Sequence, residues 1–274
     1  MQLTPRYGST PLIALDGDAG AIAEPLIRQR RRFAEIIAGL TDEQWSHASR
    51  CEGWSVQDVA VHLGSTNAFW EASIRSGLAG SPTEMLATFD PVATPARMVA
   101  DSALSTDQII DTFATSTESL AGLLLGLTGD DWDAIGEAPP GHVSISAVAH
   151  HALWDSWIHE RDVLVPLGRR PEVVPDEVVS SLRYVAGFTP ALALAAGATG
   201  VAGFDVSATD PDASFHVAIG ADVFVSSLPS GSDFELVGSS VELLEALSFR
   251  SPLDQEIPST LDWAFAGLGT VFDR

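Results

Sequence analysis

The chain has 274 residues, 46% of them hydrophobic, and a formal net charge of -23 at pH 7. Length and apolar content support one large or two ordinary domains around a sizeable core and exclude a disordered protein. The acidic balance removes the basic surface that nucleic acid or an anionic membrane face requires, so neither is an expected partner. Residues 1–20 hold Pro, Gly and Asp without clear periodicity and read as an irregular N-terminal arm. From Ala21 to Leu40, apolar residues recur at helical spacing (Ile22, Leu26, Phe33, Ile36, Ile37, Leu40), and the basic run Arg28 to Arg32 between them is expected on a solvated helix face. Thr41 is placed to cap a short turn with Glu43 and Gln44 close behind. Ser55 is a good N-cap and Asp58 favours the positive end of a helix dipole, so a second helix is expected from about Val56 to Arg75.

Residues 81–95 read as a connection, and a third helix is expected from about Thr106 to Leu127. Asp130 to His142 reads as a loop, after which Ser144 or Ser146 can cap a fourth helix reaching about Leu164. Four helices joined in this way predict a four-helix bundle over residues 21–170. A change of texture follows PLGRRP, Pro166 to Pro171. One more helix is expected over Asp176 to Ala196, then β-like runs at Val201–Ala208, Ser214–Gly220, Asp222–Ser227 and Asp233–Ser239. The second and fourth alternate apolar and polar residues, as half-buried antiparallel strands do. Helical period returns at Val241–Arg250, and LDWAFAGLGTVF is expected to close the chain with another helix. The fold class is therefore α+β, with a small α+β domain over residues 171–274 that carries an antiparallel sheet.

No apolar run free of charges or glycines reaches the roughly 20 residues of a membrane span, and no basic-then-apolar leader opens the sequence. The single cysteine cannot form an internal disulfide, so a cytoplasmic setting is expected. All 14 basic residues are arginine, which, with abundant alanine, points to a GC-rich genome of the actinobacterial kind.

The fourth helix contains HHALWDSWIHERDV, in which His151, Asp155 and His159 are spaced by four. Neighbours in that series lie about 40° apart around the helix and about 6 Å apart along it, so adjacent members can place an imidazole and a carboxylate on one ion. A third ligand must come from elsewhere, and His62 on the second helix is available. The plain alternatives are a satisfied boundary histidine at His62 and a surface ion pair between Asp155 and His159. Trp154, Trp157 and Ile158 beside the pair argue for burial, where a carboxylate and an imidazole need a partner.

The stretch LTDEQWSHASRCEGWSVQDVAVHL resembles the N-terminal domain of the mycothiol-dependent maleylpyruvate isomerase family, related to the DinB-like four-helix bundles. The matching residues are Leu40, Thr41, Trp45, Cys51, Gly53, Trp54, Val56, Asp58, Val59, His62 and Leu63. A second signature of the family, an acid, a histidine and an aspartate on the fourth helix, falls on Asp155, His159 and Asp162. The C-terminal DFELVGSSVELLEALSFR is similar to the family's second domain, with Arg250 where an arginine faces the active site. The resemblance implies a DinB-like metal-binding bundle, a divalent metal, zinc first, on His62, Asp155 and His159 with an open fourth position, and mycothiol as cosubstrate. Better-known members carry glutamate where this chain has Asp155, a shorter side chain that leaves room for His151 as a substitute ligand. Cys51 is expected to be a core residue, and Arg250 is expected to bind a substrate carboxylate or to cap its helix. His151 and Arg161 are expected to contact the cofactor; His142 and His150 are weaker cavity candidates, and His216 makes no case.

An open zinc site of this kind holds a small-molecule thiol as thiolate. The expected activity is a zinc-dependent mycothiol S-transferase or thiol-assisted isomerase, with a small-molecule thiol and a small electrophile as partners. That electrophile is maleylpyruvate, a drug-like compound or an intermediate of thiol exchange in specialised metabolism. A metal-dependent hydrolase using zinc-bound hydroxide, or a non-catalytic small-molecule-binding protein on the same fold, are the alternatives.

Overall fold

The short helix at Asp42–Trp45 and the long one at Val56–Leu78 each start where the sequence supplies a cap. Thr41 and Gln44 close a reciprocal capping box, and so do Ser55 and Asp58, with Ser55 N donating to Asp58 Oδ2 at 2.8 Å. The computed structural model describes residues 3–267 and residue 269. In chain order its elements are β1 (Ile13–Leu15), α1 (Ala23–Ala38), α2 (Asp42–Trp45), α3 (Val56–Leu78), α4 (Ala93–Ala100), α5 (Thr106–Leu125), β2 (Ile135–Ala138) and β3 (Gly141–Ser144). They continue with α6 (Ile145–Leu164), α7 (Pro175–Ala195), β4 (Ala202–Thr209), β5 (Ala213–Ile219), β6 (Val223–Ser226), β7 (Glu235–Ser239), α8 (Ser240–Leu247) and α9 (Asp262–Phe265). The expected closing helix is seen as α9, and the remainder of that expectation lies largely outside the described residues.

Helices α1, α3, α5 and α6 form the bundle, with α1 and α3 each packed against both α5 and α6. Phe33, Ile37, Val59, Leu63, Phe113 and Val163 fill one end of its interior. Nearly every residue of α6 is buried, because α7 covers the side that the bundle leaves open. Helix α7 is long and apolar enough to cross a membrane by composition, yet 78% of its apolar window is buried inside the protein, as a core helix should be. Beyond it, Phe204, Val206, Phe215, Val217 and Val225 line the inner face of a five-stranded sheet of order β1-β6-β5-β4-β7.

Four details depart from the sequence reading. The sheet is mixed: β4–β5 and β5–β6 are antiparallel, whereas β1–β6 and β4–β7 are parallel. The N-terminal arm is not irregular throughout, since β1 extends that sheet and Arg6 exchanges hydrogen bonds with Pro140 and His142. The expected loop at 130–142 holds all of β2 and the start of β3, which pair as a hairpin; Gly141 takes φ +118°, and its Cα faces the Arg6 backbone so closely that a Cβ would strike it. The arginine run is not simply a solvated face either. Arg30 is 1% exposed, and Arg32 donates to Glu160 at 3.1 Å and to Glu177 at 2.6 Å, tying α1 to α6 and α7.

Candidate metal centre

The segment leading into α3 turns at Gly53, which takes φ +75°, and Ser49 N donates to Trp54 O at 2.9 Å. From the Ser55 cap, His62 comes nearly two turns along α3, and the Trp54 ring meets its imidazole edge-on at 5.3 Å. On α6, Ser144 caps the helix through Ala147 N, and Asp155 and His159 follow one turn apart. His62 Nε2 lies 3.8 Å from Asp155 Oδ1, and His159 Nε2 lies 3.6 Å from the same oxygen. Neither separation is a hydrogen bond. The three donor atoms all lie within 4.8 Å of one another. A tetrahedral ion with bonds of about 2.0–2.1 Å needs donors about 3.3–3.4 Å apart, and the two imidazole–carboxylate separations come within a few tenths of an ångström of that. The short aspartate side chain therefore reaches.

The second nitrogen of His159 is committed. Its Nδ1 pairs with Asp162 Oδ2 at 2.9 Å, which leaves Nε2 to face the cluster. Asp162 is fully buried and collects donors from three directions. Arg250 reaches it through Nε and Nη2, both at 2.8 Å, Arg50 Nε donates at 3.0 Å, and the Cys51 thiol donates at 3.2 Å. Burial works against both aspartates as anions, but His62 and His159 hold Asp155, and His159 and Arg250 hold Asp162, well below the usual carboxylate range. Burial likewise opposes a charged His159, and it is outweighed by Cys51, Asp162 and Asp155, which push that imidazole up to about 10. At His62, burial prevails and lowers the pKa.

The remaining expected residues are distributed around this cluster. His151 stands apart from the three donors: its Nδ1 meets Tyr184 Oη at 2.9 Å, and Trp70, Trp154 and Phe188 pack around the ring. Arg161 donates to Glu245 Oε1 at 2.7 Å and its guanidinium lies 4.6 Å over the Trp157 ring. Arg250 follows α8 after a turn in which Phe249 takes φ +57° and Arg250 N returns to Glu245 O at 2.9 Å. The bidentate face that a substrate carboxylate was expected to take is occupied by Asp162. Cys51 is half-buried at the margin of the bundle core, against which it packs, and its Sγ lies 3.6 Å from His159 Nδ1 beside the site. His142 serves the arm, pairing with Gly8 and Thr83 O, and His150 pairs with Ser146 O. His216 pairs with Asp205 at 2.8 Å in the distant sheet.

The sequence reading missed Arg30, Arg50 and Glu245. A signal for Arg30 was present, since Leu26, Arg30, Phe33 and Ile37 share one helical stripe and all are buried. Arg50 and Glu245 meet only because α8 docks on the bundle, with Arg50 Nη1 donating to Glu245 at 3.2 Å, and no local pattern announces that contact.

Among solved structures, the chain is similar to a crystal structure of the mycothiol-dependent maleylpyruvate isomerase, at 15% identity and a TM-score of 0.62 over 89% of this chain and 96% of that one. A mutant of that isomerase gives 14% identity and a TM-score of 0.61 with the same coverage. At such identities the likeness shows the fold, a helical N-terminal region followed by a sheet-containing C-terminal one. No curated protein matches the sequence. The family model described as the mycothiol maleylpyruvate isomerase N-terminal domain matches residues 26–164, half of the chain, and that span contains α3, α6 and all three converging donors. The chain belongs to the mycothiol maleylpyruvate isomerase family.

Proposed function

We propose that this protein is a metal-dependent enzyme of thiol chemistry, in which His62, Asp155 and His159 hold a divalent ion, zinc first, and mycothiol is the thiol cosubstrate. The observation that carries the reading is the convergence of His62 Nε2 and His159 Nε2 on one oxygen of Asp155, at 3.8 and 3.6 Å, from two separate helices. Asp155 is buried with both imidazoles just beyond hydrogen-bond distance, and two imidazoles with one carboxylate are a familiar donor set for zinc with an open position. When bound, such an ion supplies Lewis acidity that keeps a small thiol in its nucleophilic, deprotonated form.

The chain's own residues do the rest. Asp162 accepts from His159 Nδ1 and so leaves Nε2 as the nitrogen that would hold the ion, and Arg50 and Arg250 keep Asp162 charged and oriented. Trp54 sets the plane of His62. His151, with Trp70, Trp154 and Phe188, forms a buried aromatic wall one turn before Asp155 on α6, which keeps water from that side of the donors. Arg161, held by Glu245 and lying over Trp157, is the residue we assign to an anionic group of the cofactor; its Nη1 is buried and, among the described residues, has no hydrogen-bond partner. The reaction is a thiol transfer to, or a thiol-assisted isomerisation of, a small electrophile, carried out between a bundle domain over 21–170 and a second domain over 171–274.

Calorimetric titration of mycothiol into zinc-loaded and metal-stripped protein tests this directly. Saturable binding confined to the loaded form supports the reading. Turnover of an ester or amide by the loaded protein with no thiol present, and no thiol binding, would replace it with the hydrolase.

A further inference from the structure

Arg30 carries a charge where there is no solvent to receive it. Its Nη1 donates to Leu63 O and its Nη2 to Ala152 O, both at 3.2 Å, and Nη2 lies 3.9 Å from Asp155 Oδ2. Leu63 directly follows His62 on α3, and Ala152 lies one turn before Asp155 on α6. One guanidinium thus joins the two donor-bearing helices at the level of the donors.

The two oxygens of Asp155 are divided by this arrangement. Oδ1 faces His62 and His159, whereas Oδ2 faces Arg30 and, among the described residues, has no hydrogen-bond partner. Arg30 Nε, too, is buried without a partner among the described residues. Stability does not account for such a residue, because a buried ion pair with incomplete hydrogen bonding commonly does no better than an apolar side chain of similar volume.

A fixed positive charge behind a ligand carboxylate acts on a cation held by that carboxylate in two opposed ways. Repulsion through the low-dielectric interior weakens retention of the cation. The same charge leaves the site less neutralised, so that an anion in the open position is held more firmly. Resting on the metal reading above, we infer that Arg30 is a positioning residue: it turns Asp155 so that only Oδ1 is offered, and it trades metal retention for affinity toward anionic ligands such as a thiolate.

The test measures zinc affinity by competition with a chromophoric chelator, and azide affinity from the absorption spectrum of the cobalt-loaded protein. It compares wild type with Arg30→Met, Arg30→Gln and Arg30→Lys, each checked for folding by circular dichroism. Loss of the charge in Arg30→Met should tighten zinc about tenfold or more and weaken azide by a comparable factor. Arg30→Gln, which keeps donors without charge, should move the same way, and Arg30→Lys should stay near wild type in both measurements. Unchanged or weaker zinc binding in folded Arg30→Met and Arg30→Gln overturns the inference while leaving the metal site standing. Failure of wild type to take up zinc in stoichiometric amount removes the metal reading itself and this inference with it.

Discussion

Arg250 and Asp162 meet through two parallel hydrogen bonds of 2.8 Å, although one lies just beyond α8 and the other on α6. Asp162 in turn holds His159, so a residue of the C-terminal region fixes the orientation of an imidazole in the bundle. Burial opposes the Arg250 cation, but Asp162 and the neighbouring Cys51 sulfur more than compensate and raise its pKa above the usual arginine value. Arg250→Ala should therefore leave zinc bound, because Arg50 still holds Asp162, while thiol-transfer turnover falls about 10- to 100-fold. Metal analysis beside steady-state rates checks this; wild-type rates in the variant would reduce Arg250 to a helix cap.

Removing Asp162 itself should reach the metal. In Asp162→Ala, His159 loses the acceptor for Nδ1 and three donors of Arg50 and Arg250 lose their partner. Zinc affinity, measured by chelator competition, should drop about 10- to 100-fold. An unchanged affinity would show that His159 is oriented by packing alone.

Two further histidines report on pH through stability rather than activity. Burial lowers both His150 and His151 from 6.5 to about 4. Each stays neutral in the folded chain where the unfolded chain begins to bind a proton, so stability is intact above pH 6.5 and is lost as pH falls from 6.5 toward 4. Denaturant unfolding of the metal-free protein at stepped pH should show that slope, and His150→Gln should flatten it. A wild-type slope confined to pH below 4 would contradict the assignment.

The ion-pair network of α1 should matter to folding, not chemistry. Arg32 lies between Glu160, 2% exposed, and Glu177, 0% exposed. Arg32→Ala leaves two buried carboxylates facing each other, with Arg28 still on Glu177 at 2.9 Å. A loss of about 3 kcal/mol in denaturant unfolding is expected, near the lower end for a broken buried pair because Arg28 remains. Zinc content should not change.

Much of this architecture is legible in the residues themselves. Ser55 with Asp58 and Ser144 with Ala147 mark the starts of α3 and α6 within a residue, because caps are local hydrogen-bond chemistry. The spacing of Asp155 and His159 likewise fixes their shared helix face. Features built by distant contacts are hidden. Strand β1 is three residues long and exists because β6 offers an edge, and Cys51 sits at the margin of the core with its thiol on Asp162 and beside Arg250. Arg30 is the instructive case: its position in the apolar stripe was readable, but the pull of the charged residues beside it, Arg28 to Arg32, favoured a solvated reading. Only the fold reveals Asp155 across the bundle to explain the exception.

The measurement that bears most directly on the whole account is zinc stoichiometry in purified, zinc-equilibrated wild type, His62→Ala and His159→Ala, with circular dichroism on the same samples. The account predicts about one zinc per chain in wild type and a sharp loss in both variants, with helical signal unchanged in all three. Equal zinc content across the three proteins would place the ion elsewhere and contradict it.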